Sequence, residues 1–345
     1  MAQLRTEYQK NTKKRTRNKY MKITLITFLG LFLIAGSVFA YSVWKLHNVT
    51  AGAQHELDRG DRSDLRETVV NPNKDPISIL FVGLDTRDGD LSGRTDAMIL
   101  ATFNPEEGSI KMLNIPRDSM VEIVGHGTVD KINHAHAFGG IDMTMDTVEN
   151  LFGIPVDYFV SLNFDAFMEI IDELGGITVN SPFTFTEKDN ATYGTITIYE
   201  GEQTLNGQEA LAYVRMRKQD PQGDLGRGER QKEVIESIIR KGASLSTITR
   251  FGPIMDSVER NLNTNITFNN ILSMHSFATE LDNIDSLSLE GDNHYENAIY
   301  YYKLREESVQ EISDRLHVHL GLKDPSVLDV YDVEEELEGT ETLDQ

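Results

Sequence analysis

Apolar and polar positions divide the 345 residues into an uncharged N-terminal run, a polar stretch, and a long region of alternating strand-like and helix-like periods. Ile77 to Gly83 is an almost unbroken β-branched and apolar run, which predicts a buried strand. Residues 98–103 (MILATF) and 109–114 (SIKMLN) flank Asn104-Pro105-Glu106-Glu107-Gly108 and predict a hairpin. A helix is predicted over 142–151, with Met143, Val148, Leu151 and Phe152 on its apolar side, and a strand over 156–162. The helix predicted at 164–174 has Asn163 as its N-cap and Gly175-Gly176 as its stop. Residues 177–200 read as short strands and turns. Leu205 to Ala212 reads as a helical turn entering a strand-like YVRMR, and Glu229 to Lys241 as an amphipathic helix with Val234, Ile235, Ile238 and Ile239 inward. Helices near 268–280 and 305–319 and a strand at 298–302 complete the pattern. Strands that alternate with helices predict a layered α/β/α domain.

The N-terminus changes this picture. Residues 1–22 carry eight Lys/Arg against the single acid Glu7, and Ile23 to Val43 then runs for 21 residues without a charge. About 20 apolar residues cross a bilayer core, and flanking cations hold their side in the cytoplasm. Tyr20, Tyr41 and Trp44 fit the aromatic belts at the two interfaces. A cleaved signal peptide is the competing reading, but the run exceeds the usual ~7–15-residue signal core and Val38-Phe39-Ala40 is a poor cleavage site. The expectation is therefore a cytoplasmic segment at 1–22, an uncleaved signal anchor at 23–43 and a polar stalk at 44–75. An extracytoplasmic domain follows at 76–322, and an acidic, disordered tail at 323–345. The chain would be a single-pass type II protein of the cell membrane with its domain outside.

Composition narrows the function classes. The 39% apolar content fills a core, and the absence of cysteine removes disulfides, thiolate metal sites and a Cys nucleophile. Residues 1–22 carry +7, which leaves −29 of the total −22 for the remainder. Such a surface repels a nucleic-acid backbone, so no nucleic-acid partner is expected.

Against that acidity, arginines and aspartates gather in VGLDTRDGDLSGRTD, NIPRDSM, YVRMRK and GDLGRGERQ. Guanidinium groups bind phosphate oxygens bidentately, and carboxylates in their company hold divalent cations. Asp85 and Arg87 follow the first strand, Arg94 and Asp96 precede the second, and Arg117-Asp118 follow the third, where ligands of open α/β sheets bind. Arg215 and Arg217, two apart on an extended segment, would share a face. Arg227 and Gln231 would share one at a helix start, which itself favours an anion. Taken singly, a segment of this kind is usually a set of surface ion pairs, and His134 and His136 read as structural or solvated. Together they point to one anionic ligand.

The segments LDTRDGDLSGRTDAM, NIPRDS, DKINHAHAFGG, LGGITVN, LNGQEALAYVRMRK and DLGRGERQ resemble the LytR-CpsA-Psr family, strongly over 76–245 and more weakly to about 320. The resemblance implies an α/β/α sandwich around a mixed sheet, preceded by one transmembrane helix. It implies a phosphotransferase moving a teichoic acid or similar glycan polymer from a polyprenyl pyrophosphate carrier to the C6 hydroxyl of peptidoglycan N-acetylmuramic acid. Arg94, Arg117, Arg215, Arg217, Arg227 and Gln231 would bind the pyrophosphate. Asp85 and Asp96 would hold Mg2+, with Mn2+ as the alternative, and Asp96, Arg117 and Asp224 would be catalytic. Lys131 and Asn133 lie in a family motif without an assigned role. The isoprenoid tail needs an apolar groove, expected between the sheet and helices 142–152 and 164–174. Phe159, Phe164, Phe167, Ile170 and Ile171 are its candidate lining, although core packing explains the same residues. Hydrolysis of the lipid carrier and a membrane-bound regulator are the competing functions.

Overall fold

Strand β1 (Ile77–Leu84) forms where the apolar run predicts it, and its alternation sets the layering. The computed structural model describes residues 55–87, 89–189, 194–242, 260–274 and 284–331. The cytoplasmic segment, the anchor at 23–43, the start of the stalk, the end of the helix predicted to reach 280 and most of the acidic tail lie outside these residues. Among those described, no helix is long and apolar enough to cross a membrane.

The predicted hairpin is β2 (Thr95–Asn104) with β3 (Ser109–Asn114), in register from Ile99↔Asn114 to Asn104↔Ser109. A small ribbon, β4 (Met120–Ile123) and β5 (Thr128–Lys131), leads to helix α1 (His134–Phe152). That helix starts eight residues before the predicted 142. Gly139 and Gly140 leave helical geometry, Gly140 with φ 66° and ψ −153°, so the polar HAHAF turn joins the amphipathic part across a kink that only glycine accommodates. β6 (Tyr158–Asn163) then enters α2 (Phe164–Glu173), where Asn163 accepts from the Ala166 N–H as expected of an N-cap.

Short strands follow: β7 (Ile177–Ser181), β8 (Phe185–Lys188), β9 (Thr195–Ile198) and β10 (Gly201–Leu205). Next come α3 (Gly207–Arg215) and α4 (Asp224–Gly242). β11 (Leu262–Thr264), α5 (Phe268–Met274) and β12 (Ile284–Ser288) precede a hairpin of β13 (Gly291–Glu296) and β14 (Ile299–Leu304). α6 (Glu306–His319) follows.

The main sheet has the order β11-β6-β1-β2-β3-β12. β6 is parallel to β1 and β12 to β3, and the other neighbours are antiparallel, so the sheet is mixed. Leu80, Val82, Leu100, Met145, Val148 and Leu316 build the core beneath α1 and α6. Ile77, Ile79, Ile99, Ala101 and Met112 build the opposite core, against Ile235 and Ile239 of α4. Helices thus cover both faces, as an α/β/α sandwich requires. Leu84 is in register with both Thr95 and Asn163, so the exits of β1 and β6 and the entrance of β2 lie at one sheet end.

Two flanking segments are more integrated than their polarity implies. Residues 55–75 of the expected stalk lie on the domain: Leu57 is buried in the first core, and Arg66 pairs bidentately with buried Asp157 at 3.0 and 2.7 Å. A short 3-10 turn at Pro325–Leu328 opens the acidic tail, and Tyr331 donates to Asp314 at 2.7 Å. The tail's first residues are thereby held by a carboxylate on α6, which also takes Lys323 at 2.6 Å.

Candidate active site: an apolar cavity with a cationic mouth

The α3–α4 pair makes the wall that matters. Asn206 accepts from the Glu209 N–H and Glu209 from the Asn206 N–H, both at 2.9 Å, so α3 starts in a capping box. A Cβ on Gly207 would lie 2.3 Å from the Met168 carbonyl oxygen, so glycine alone lets α3 approach α2 this closely. The capping box and the buried Ala210, Leu211 and Tyr213 drive YVR into the helix, so the extended conformation predicted for YVRMR is incorrect over Tyr213–Arg215. Arg215 ends α3, Met216 turns extended at φ −59° and ψ 131°, and Arg217 follows on the exposed side. The Arg215 guanidinium carbon stands 4.8 Å from the Phe164 ring centroid.

α4 begins at Asp224. The side chain of Asp224 lies outside the described residues. Gly228 seats the helix against β3, since a Cβ there would meet Asn114 Nδ2 at 2.3 Å. Arg227 and Gln231 are 8% and 9% exposed and share a helix face with Ile235, Ile238 and Ile239. That face changes from cationic to apolar over roughly 18 Å, at 1.5 Å per residue.

It lines a cavity of about 390 Å3 whose other walls include Phe81, Ile99 and Val160 of the sheet and Phe164, Phe167 and Ile170 of α2. Asp96, Arg117, Arg215 and Arg217 complete its lining. The groove is therefore between the sheet and the 164–173, 207–215 and 224–242 helices. Helix 142–152 lies on the opposite face, because Leu80 and Phe81 alternate across β1. Phe159 belongs to the first core and Ile171 to a separate small core, so neither lines the cavity.

A second, polar cavity of about 490 Å3 shares Asp96 and Arg117 with the first. Its lining brings in Asp85, Arg94, Asp118, Lys131, Asn133 and His134. Asp96 accepts from Arg117 Nη1, Arg117 Nε is 3.7 Å from Asp118, and Asp118 accepts from Lys131 Nζ at 2.7 Å. Backbone bonds fix this chain: Ile132 N–H donates to Ser119 O at 2.9 Å and Asn133 N–H to Arg117 O at 3.2 Å. Asn133 Oδ1 is buried and, within the described residues, has no hydrogen-bond partner, which marks a position for a donor from a ligand or water. His136 is buried, its Nδ1 3.0 Å from Gly93 O, and burial pushes its pKa down, so the neutral ring tethers the loop before Arg94.

The expected residues thus fall on two joined cavities: Arg215, Arg217, Arg227 and Gln231 on the apolar one, Asp85, Arg94, Lys131 and Asn133 on the polar one, Asp96 and Arg117 on both. Among the described residues no group of three His, Asp or Glu is arranged around a common metal position. Two carboxylates on one polar cavity nevertheless suit Mg2+, which takes one or two carboxylates and completes its shell with phosphate oxygens and water.

Sequence reasoning missed Arg230. The residue is 3% exposed and its guanidinium donates to Tyr213 O at 3.0 Å, to Met216 O and to Asp220, so it clamps the segment that carries Arg215 and Arg217. Its position in GDLGRGERQ, one residue before Gln231, was the available signal.

The LytR_cpsA_psr family model matches residues 40–318. TagU of Bacillus subtilis (strain 168), a polyisoprenyl-teichoic acid–peptidoglycan teichoic acid transferase, is 44% identical over 305 residues, covering 88% of this chain and 97% of its own. Similar solved structures include TagT bound to LI-WTA, with TM-score 0.66 and 39% identity over 77% of this chain and 99% of that chain. Another is the LytR-CPS2A-psr family protein YwtF (TagT) with bound octaprenyl pyrophosphate lipid, with TM-score 0.63 and 37% identity over 77% and 99%.

Proposed function

This chain belongs to the LytR_cpsA_psr family and is a transferase, and we propose that it moves a phosphoglycosyl polymer from a polyprenyl pyrophosphate carrier to the C6 hydroxyl of peptidoglycan N-acetylmuramic acid. The observation that carries this reading is the junction of the two cavities at Asp96 and Arg117, one apolar and rimmed by arginines, the other polar. A polyprenyl pyrophosphate has the same two-part chemistry. Its hydrocarbon fits along Ile235, Ile238, Ile239 and Phe167, and its phosphates fit against Arg117, Arg215, Arg217, Arg227 and Gln231. The lipid bound to a family structure and the names of the relatives support the same substrate class.

In this mechanism the accepting hydroxyl oxygen bonds to the phosphorus that carries the glycan, and the bridging P–O bond breaks. Polyprenyl phosphate leaves and a phosphodiester to the sugar remains. The arginines hold the phosphates in line and neutralise charge gathering on the leaving oxygen. Asp96, beside Arg117 at the junction, takes the hydroxyl proton or holds the cation. Asp224, the first residue of α4, is the other candidate base. Arg94 supplies further positive charge on the polar side. Mg2+ held by Asp85 and Asp96 would supply Lewis-acid neutralisation of the phosphate oxygens. The basic and uncharged runs at 1–45 support a cytoplasmic N-terminus and an external domain, where lipid carrier and peptidoglycan meet.

The test uses the purified full chain in micelles with Mg2+, a lipid-pyrophosphate-linked saccharide and peptidoglycan glycan. Arg117→Ala and Arg217→Ala are expected to abolish transfer while the thermal transition is retained. Full activity in either variant sinks the assignment. Product that forms equally with and without peptidoglycan favours hydrolysis of the carrier instead.

A further inference from the structure

Beside the polar cavity lies a surface that the proposed lipid and phosphate contacts do not use. Lys131 Nζ, on the cavity wall, is 5.7 Å from the Tyr300 ring centroid and 5.8 Å from that of Tyr301. Tyr300 and Tyr295 face each other across the β13–β14 hairpin and pack edge to face at 5.5 Å. Tyr295 is 68% exposed. The hairpin closes on Asn297 and Ala298, at φ 49° and 65°, the only non-glycine residues with positive φ among those described. An alanine held in that region is a local conformational cost, and it fixes the tight turn that presents the two rings.

The neighbouring groups are polar. Asp130 lies 2.7 Å from His134 Nδ1 and accepts from the Tyr301 hydroxyl at 3.5 Å. The exposed Tyr295 ring and the half-buried Tyr300 ring, near a carboxylate, an ammonium and an imidazole, match a saccharide. A pyranose lays its C–H face on an aromatic ring, while its hydroxyl and acetamido rim exchanges hydrogen bonds. An apolar protein partner would be met by a continuous apolar patch, and a nucleic acid by an excess of cations.

The direction of approach selects the saccharide, given the transferase reading on which this step rests. With the lipid in the apolar cavity, the leaving phosphate departs toward that cavity. In-line displacement brings the attacking hydroxyl from the other side of the phosphorus. That side is the polar cavity, and its Lys131, Asn133 and His134 take no part in the apolar one. We propose that Tyr295, Tyr300 and Lys131 form the subsite for the N-acetylhexosamine strand that bears the accepting hydroxyl.

The probe is a soluble peptidoglycan tetrasaccharide, titrated into the full chain in detergent micelles, with bare polyprenyl pyrophosphate titrated in parallel. Tyr300→Ala is expected to raise the tetrasaccharide Kd about fivefold to tenfold, the range of an aromatic contact. Adding Tyr295→Ala should raise it further. Tyr300→Phe keeps the ring while losing the hydroxyl's 2.9 Å bond to Asn293, so its Kd should stay near wild type. In transfer assays the alanine variants should raise the acceptor KM and leave polyprenyl pyrophosphate affinity unchanged. Lack of saturable tetrasaccharide binding by the wild type, or an unchanged Kd in both alanine variants, overturns the proposal. A parallel loss of bare polyprenyl pyrophosphate affinity overturns it too, as does a loss confined to glycan-bearing donor, which would give the rings to the donor sugar. Should the wild type bind the tetrasaccharide through these rings but not the lipid pyrophosphate, the transferase reading fails and the saccharide subsite stands.

Discussion

Replacing Arg230 by Met tests whether the arginine pair at the cavity mouth is held by a buried clamp. Arg230 and Asp220 side chains are each 4% exposed, and the guanidinium also takes the Tyr213 and Met216 carbonyls. It lies 5.9 and 5.8 Å from the Phe185 and Tyr213 rings. Asp220 in turn lies under the head of α4, where a Cβ on Gly226 would come 2.1 Å from its Oδ2. Methionine fills the volume but strands the carboxylate, and removing one partner of a buried pair costs about 3–5 kcal/mol. The double variant Arg230→Met with Asp220→Leu removes the stranded charge and should recover about 2 kcal/mol, leaving as residual cost the two carbonyls and the Gln222 N–H that Asp220 accepts at 2.7 Å. Urea denaturation of the full chain gives these energies, and titration with polyprenyl pyrophosphate gives the second readout. The double variant should remain weak in pyrophosphate binding despite its recovered stability, because Met216 O is no longer held and Arg217 loses its fixed origin. A loss below about 1 kcal/mol in Arg230→Met, or wild-type pyrophosphate affinity in the double variant, refutes the reasoning.

Three further outcomes follow from particular groups. Burial of His319 pushes its pKa down to about 4, from an ordinary 6.5, with the ring between Thr102 Oγ1 at 2.7 Å and Ser109 Oγ at 2.9 Å. Below the ordinary value the unfolded chain binds the proton and the folded one does not. Stability should therefore fall as pH drops from 6.5 toward 4, by about 3 kcal/mol, and His319→Gln should flatten that slope in urea titrations. Ile238→Trp should fill the apolar cavity and weaken long-chain polyprenyl pyrophosphate at least about tenfold while sparing geranyl pyrophosphate, since burial contributes about 0.8 kcal/mol per CH2; equal effects on both chain lengths would move the lipid elsewhere. Asp85→Asn should shift the Mg2+ dependence of transfer to higher concentration without changing metal-free lipid binding, and an unchanged dependence would remove Asp85 from the metal site.

The sheet was legible because its signals are local. β1, the β2–β3 hairpin and the Asn163 cap each follow from residues adjacent in the chain, and the strand-end rule makes Asp85, Asp96 and Arg117 candidates for one patch. The misreadings came where tertiary packing overrides local preference. YVRMR carries a β-like pattern, yet the Asn206 capping box and the close Gly207–Met168 approach commit its first three residues to a helix. Residues 55–75 are polar enough to read as a stalk, but the bidentate pair of Arg66 with Asp157, the Arg59–Glu149 bridge at 2.9 Å and the buried Leu57 help dock the segment. The Arg66–Asp157 contact joins residues 91 apart, beyond the reach of any periodicity.

The cavity was harder to read for a different physical reason. Periodicity reports which side chains leave water, and a residue lining an apolar cavity leaves it as fully as one packed in a core. Ile235, Ile238 and Ile239 therefore look the same in either setting. What separates them is the head of their stripe, where Arg227 and Gln231 are nearly buried on the same face. A guanidinium is not carried into a closed apolar core without compensation, because desolvating it costs several kcal/mol. It can sit at the end of an apolar stripe when that stripe borders a space that an anion enters head-last, hydrocarbon first. Polarity graded along α4, rather than around it, separates a stripe that borders the cavity from one packed in a core.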